Sequence, residues 1–272
     1  MLEKLIAIGE GDAATASATQ ISGLEQMMAN VSLSEKHVAN DLRVMRSLSF
    51  EARTVRYGAI PEAYKQTFQW AFHGLSASSA PQEMEAADLE KSGLFDWLKN
   101  DGGIFWVSGK PGSGKSTFMK FVSGHPLTHE ALSRWGGPRP VFIASHYFWI
   151  SGTTMQKSQE GLLQSLLYDI FSRCPDLIQV AFPARWGGKA NSPWTTGEMR
   201  SAIHTLVTQV QIPCKFCFFI DGLDEFDGEH IDFCESLLSM AGSPSLKLCV
   251  EPPLEYFRGI IWQRRTAENL HP

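Results

Sequence analysis

The residues in this chain best suited to chemistry form one unbroken run, Gly109-Lys110-Pro111-Gly112-Ser113-Gly114-Lys115-Ser116, a full match to G-x-x-x-x-G-K-[ST]. At this composition the pattern arises by chance in roughly 1 in 100 chains. Glycines at 109, 112 and 114 let a backbone curl until its N–H groups converge on phosphate oxygens at the positive end of a following helix. Lys115 can then reach β- and γ-phosphates, Ser116 can offer its hydroxyl to Mg²⁺, and Thr117 is placed to touch an α-phosphate. Such a loop needs an acid at the end of another apolar strand to hold its metal. Phe218-Phe219-Ile220-Asp221-Gly222-Leu223-Asp224-Glu225 supplies one. Asp221 is the metal carboxylate candidate, and either Asp224 or Glu225, one turn on, can orient or deprotonate an attacking water.

These groups act only if strands and helices deliver them to one place. Ile104–Ser108 reads as a buried strand before the glycine loop, with apolar strands also at 141–149, 216–220 and 246–250. Helical patterns lie between them at 115–123, 159–172, 198–210 and 230–240, the third opened by a capping pair, Thr195 and Glu198. A short helix carrying Leu94, Trp97 and Leu98 leads into the first strand. Strands alternating with helices predict an α/β fold, a three-layer P-loop domain with a parallel sheet. We place that domain at 83–250, after a flexible lead-in at 1–20 and an α-helical N-terminal region at 21–74. Within the latter, Ile21, Leu24, Met28, Val31, Val38, Leu42 and Met45 form an apolar stripe. The stripe suits either a partner or second copy, or this chain's own core. A further helix is expected after Pro61, through Ala63, Tyr64, Phe68 and Trp70; Tyr64 and Phe68 suit helix packing, or contact with an adenine.

Composition narrows the function classes. Lys and Arg total 24 against 29 Asp and Glu, so no global positive field recruits nucleic acid, and phosphate must be held locally. No apolar run is long enough for a membrane span or an ordinary signal peptide. The five cysteines, 174, 214, 217, 234 and 249, lie in apolar stretches and read as reduced thiols, with a cytoplasmic location expected. Cys214 and Cys217 form a CxxC, but strand alternation sends them to opposite faces. His146, inside an apolar strand, reads as a core residue, as do Trp106, Trp149 and Trp194. No metal beyond Mg²⁺ is expected.

Together, Gly-Lys-Pro-Gly-Ser-Gly-Lys-Ser-Thr and Phe-Phe-Ile-Asp-Gly-Leu-Asp-Glu-Phe resemble the NACHT class of STAND NTPases. The likeness is to the fungal group related to vegetative-incompatibility proteins and to the nephrocystin-type N-terminal module. Ile60–Trp70, Phe105–Pro111, His146–Gly152 and Gln159–Tyr168 add to the resemblance, which spans about 45–250. It implies a switch in which ADP holds a closed monomer and exchange for ATP lets copies assemble and gather their N-terminal segments. It also implies adenine as the base. The family's last strand usually runs into Ser-Ser-Arg-Pro, whose arginine senses the γ-phosphate; here Leu246–Val250 runs into Glu251-Pro252-Pro253. Residues 251–272 therefore read as an atypical tail, from an altered frame, a retained intron or a truncated copy, with Arg258, Arg264 and Arg265 as the arginines beyond the strand. Slow or defective hydrolysis is the expectation, and with no fifth strand after Leu246–Val250 the sheet edge beyond Val250 is expected to be uncovered. Two rivals stand beside the switch: a P-loop kinase, disfavoured by the paired acids after Asp221, and a non-catalytic protein acting through residues 21–70.

Overall fold

The computed structural model describes residues 18–64, 67–68, 71–72, 93–100 and 103–251, with side chains from residue 26 onward. Four strands, β1 (Gly103–Trp106), β2 (Val141–Tyr147), β3 (Lys215–Asp221) and β4 (Leu246–Val250), form one all-parallel sheet in the order β1-β4-β3-β2. Helices cover both faces: α3 (Leu94–Lys99) just before β1, and between the strands α4 (Lys115–Gly124), α5 (Pro126–Gly136), α6 (Thr154–Lys157), α7 (Gln159–Arg173), α8 (Asp176–Ala181), α9 (Pro183–Trp186), α10 (Thr196–Thr208) and α11 (His230–Ala241). A long helix, α1 (Ala18–Leu48), and a short one, α2 (Val55–Ala59), precede the sheet. The predicted α/β class and its parallel sheet are what is observed.

A parallel strand covered on both faces is apolar without a break, and β3 is buried at all seven positions. Phe216, Phe218 and Ile220 face a core built with Leu163 and Leu166 of α7, Ile203 of α10 and Leu237 of α11. Cys217 and Phe219 face the opposite core, with Phe118, Met119 and Val122 of α4 and Leu132 of α5. Cys214 belongs to the first core and Cys217 to the second, so the CxxC thiols point apart. All five thiols are free, and the described residues contain no group of three or more His, Cys, Asp or Glu able to hold a metal ion. At the start of α10 the Glu198 N–H donates to the Thr195 hydroxyl at 3.2 Å, while the Glu198 carboxylate turns away to Arg185, at 2.5 and 2.6 Å. The cap is half of a capping box.

Two expectations are corrected. Residues 61–64 carry no helix, and the helix in this region is α2, ahead of Pro61. Proline disfavours the helical conformation in the residue before it, and Ile60 is accordingly extended, with φ −70° and ψ 124°. Phe68 lies in a turn with φ 71°; Trp70 is outside the described residues. Nor does the sheet have an open edge at the strand ending in Val250. β4 lies between β1 and β3, and the outer strands are β1 and β2. No fifth strand is needed to cover β4, because a crossover inserts it into the middle of the sheet.

The N-terminal segments dock at their C-terminal parts. Val44 and Leu48 of α1 are buried in the core, the Arg43 guanidinium donates to the Trp186 carbonyl at 2.7 Å, and Trp186 Nε1 donates to Asp41 at 2.8 Å. Arg53 pairs with Asp169 at 2.7 Å, and the other carboxylate oxygen accepts from the Ser145 N–H of β2 at 3.1 Å. Along the rest of α1, Met27, Met28, Val31, Val38 and Leu42 are exposed. The helix therefore packs one face on the core and leaves a second apolar face open. Among the described residues no helix is long and apolar enough to cross a membrane.

His146 of β2 is buried, its Nδ1 3.1 Å from the Ser165 hydroxyl, with no hydrogen-bond partner at Nε2. Burial lowers its pKa from 6.5 to about 3. A depressed folded pKa gives stability that is fully present above the unfolded value and is lost as pH falls toward the folded one. Between pH 6.5 and 3, His146 should contribute a loss of up to about 1.4 kcal/mol per pH unit. Denaturant melts at pH 7 and pH 5 check this: His146→Gln should flatten the slope by about one proton, and an unchanged slope would show that another group carries it.

Candidate functional site

The C-terminal ends of all four strands lie side by side, in the place where open α/β sheets bind ligands. The ladder continues past each strand: Val107 N–H donates to Val250 O at 3.0 Å, Phe148 N–H to Asp221 O at 3.0 Å, and Glu251 N–H to Ile220 O at 3.1 Å. The glycine loop after β1, the Asp221 turn after β3 and Glu251 after β4 thus share one rim.

The loop runs from the end of β1 into α4. Lys110, Pro111, Gly112 and Ser113 are exposed, with Ser113 N–H closing a turn onto Lys110 O at 3.1 Å, and Gly114, Lys115, Ser116 and Thr117 are half-buried. Gly114 caps α4 with φ 86°, a left-handed conformation that a side chain would strain. Gly109 matters for closeness: a Cβ there would meet Ser113 Oγ at 2.7 Å and Lys115 side-chain carbons at 3.4 Å. The Lys115 side chain curls back over the loop, and its Nζ donates to Gly109 O and Lys110 O, each at 3.1 Å.

Asp221 is 1 % exposed, and neither carboxylate oxygen has a hydrogen-bond partner. Ser116 and Glu251 lie close enough to act on its charge, but neither completes a bond of normal geometry, so we regard the carboxylate as unpartnered. Burial first, and the like charge of Glu251 second, raise its pKa well above the carboxylate range, opposed by Ser116 and by the Arg56 guanidinium of α2. A buried acid without donors is a costly arrangement unless a cation completes it. Ser116 and Asp221, the two members of the expected metal set, are thus brought together from α4 and β3.

The two acids after Asp221 have different fates. Leu223–Glu225 forms a single 3₁₀ turn in which Asp224 is exposed and Glu225 is half-buried. The Glu225 carboxylate accepts from Ile150 N–H at 2.6 Å, which ties it to the loop after β2. Among the described residues, no hydrogen bond or ion pair joins either acid to Lys115, Ser116 or Asp221. Phe68 packs against the glycine-loop helix, with ring centroids 5.2 Å from Phe118 and 6.0 Å from Phe121, whereas Tyr64 is 84 % exposed. Packing is thus observed for Phe68 but not for Tyr64.

One residue escaped the sequence reading. Glu251 is 6 % exposed; its Oε1 lies 3.1 Å from Lys115 Nζ, and its Oε2 accepts from Gly222 N–H at 3.3 Å. A signal for it existed, because an acid directly after the apolar run Leu246–Val250 repeats the pattern that singled out Asp221.

Comparison with known proteins gives a family match. The family model described as nephrocystin 3, N-terminal, matches residues 88–251, more than half of the chain, from just before α3 to Glu251. No curated protein and no solved structure matches. The chain that builds this rim belongs to the nephrocystin 3 N-terminal family.

Proposed function

We propose that this chain is the Mg-dependent ATP/ADP-binding switch module of a NACHT-type STAND NTPase, with slow or defective hydrolysis. The observation that carries the reading is the meeting of Lys115, Ser116 and Asp221 at one sheet rim, the acid buried with both oxygens unpartnered. Loop N–H groups and the positive end of the ten-residue α4 suit phosphate oxygens, Lys115 suits the β- and γ-phosphates, and Ser116 with Asp221 suits the metal. When bound, Mg²⁺ supplies charge neutralisation at the phosphates and completes the donor-poor carboxylate of Asp221. Glu225, steadied by Ile150, is the better placed of the two downstream acids to position a water. The adenine preference rests on the resemblance to the NACHT class.

Calorimetry with ADP, ATP and GTP, each with and without Mg²⁺, tests the reading. Asp221→Asn should bind triphosphate about tenfold more weakly when Mg²⁺ is present and lose the difference between the two conditions. The same variant should melt no lower than the parent at pH 8 without metal. A carboxyl whose folded pKa is raised loses its contribution to stability as pH rises, and asparagine has no charge to bury. Full magnesium dependence in Asp221→Asn would remove Asp221 from the metal site.

The exposed apolar face of α1, Met27, Met28, Val31, Val38 and Leu42, favours a second reading, an interaction protein that works through its N-terminal helix with another copy or an effector. Failure of all three nucleotides to bind would leave that reading standing alone.

A further inference from the structure

The Lys115 ammonium is already engaged, by two loop carbonyls and by a carboxylate from a different strand. Its partner Glu251 directly follows β4, which is inserted between the strand that carries the glycine loop and the strand that carries Asp221. The contact is enclosed, with side chains 14 % and 8 % exposed, so solvent screens it weakly. The second Glu251 oxygen is held by the backbone N–H of Gly222, the residue after Asp221. Glu251 therefore joins the glycine loop to the acidic turn, using the same ammonium that a polyphosphate needs.

We propose that Glu251 is an internal rival anion: it holds Lys115, sets the affinity of the loop for nucleoside di- and triphosphates, and is released from Lys115 when their phosphates displace it. The inference rests on the nucleotide reading above and adds to it a residue that limits binding. Two physical effects act in the same direction. An incoming phosphate must break the Lys115–Glu251 pair before it gains the ammonium, and it then lies beside a buried carboxylate of like charge. The phosphates prevail because they carry more charge than one carboxylate and gain the loop N–H groups as well. Displacement frees one Glu251 oxygen while Gly222 N–H retains the other, so the residue stays close enough to close again when nucleotide leaves.

Neutralising the rival should tighten binding. In calorimetry of the full chain, Glu251→Gln should bind ADP and ATP about tenfold or more tightly than the parent, both with Mg²⁺ and with EDTA in its place. The amide keeps the side-chain shape and an acceptor for Gly222 N–H. Glu251→Ser, which removes the side chain from the pair, is the second variant, and it should shift affinity in the same direction. Equal affinity in parent and variants overturns the inference and leaves the nucleotide reading intact. Weaker binding confined to the Mg²⁺ arm also overturns it, because Glu251 would then be holding the metal. No binding of ADP or ATP to any of the chains removes the nucleotide reading, and the inference with it.

Discussion

Lys115→Ala is expected to weaken Mg-ATP binding at least tenfold, about 1.5 kcal/mol at the lower end for a charge-assisted contact. The structure adds a second consequence. Removing the ammonium leaves Glu251 buried and unpaired beside Asp221, and breaking one side of an enclosed ion pair costs about 3–5 kcal/mol in stability. Loss of binding in this variant could therefore be mistaken for loss of fold. Pairing Lys115→Ala with Glu251→Gln separates the two effects: the double variant should recover most of the melting temperature while still binding Mg-ATP more weakly than Glu251→Gln alone by at least about tenfold. A double variant that binds Mg-ATP like Glu251→Gln alone would mean that Lys115 serves the fold and not the ligand.

Hydrolysis should be close to background even where binding is intact. An arginine aimed at charge developing on the γ-phosphate accelerates P-loop enzymes by about 10³–10⁵. At the end of β4, where the NACHT pattern runs into Ser-Ser-Arg-Pro, this chain has Glu251, whose negative charge opposes the same transition state. Arg258, Arg264 and Arg265 lie outside the described residues. Arg56 of α2 is the arginine that acts on the Asp221 carboxylate from within them. Single-turnover measurement with radiolabelled ATP is the check, and the expected result is a rate that Lys115→Ala does not lower further. Multiple turnover abolished by Lys115→Ala would refute this expectation. If Arg56→Ala abolished it as well, the missing charge would be assigned to α2.

The parts of the fold and site that could be read from sequence are those whose cause is local. Glycines at 109, 112 and 114 and the lysine after them define their own loop, and an apolar run ending in Asp221 defines a buried strand delivering an acid to a rim. The opposite facing of Cys214 and Cys217 follows from strand alternation alone. Strand order has no such local cause. Nothing within Leu246–Val250 states that it inserts between β1 and β3, so the open edge was assigned to the wrong strand and Glu251 was read as the start of a tail. The helix expected after Pro61 failed for a different reason. Apolar spacing suggested it, but residues 61–64 carry no helix and Phe68 takes a left-handed turn conformation, while the proline's restriction on Ile60 accounts for the end of the preceding helix, α2, at Ala59. Tyr64, counted in the same pattern, is left in solvent.

The strand order also bears on the time course of folding. Among the described residues β1 pairs only with β4, through Gly103↔Lys247 to Trp106↔Val250, so the glycine loop hangs from a strand whose described neighbour is made after β2 and β3. Closing a contact across so much chain is entropically costly before it is rewarded, and topologies dominated by such contacts fold slowly. On a ribosome adding about 5–20 residues per second, β1 waits on the order of ten seconds for its partner while β2 and β3 can already pair. The glycine loop is thus among the last parts of the described fold to be completed, and until then the nascent chain exposes the apolar residues of β1 and α4 to whatever chaperone or neighbouring chain meets them first.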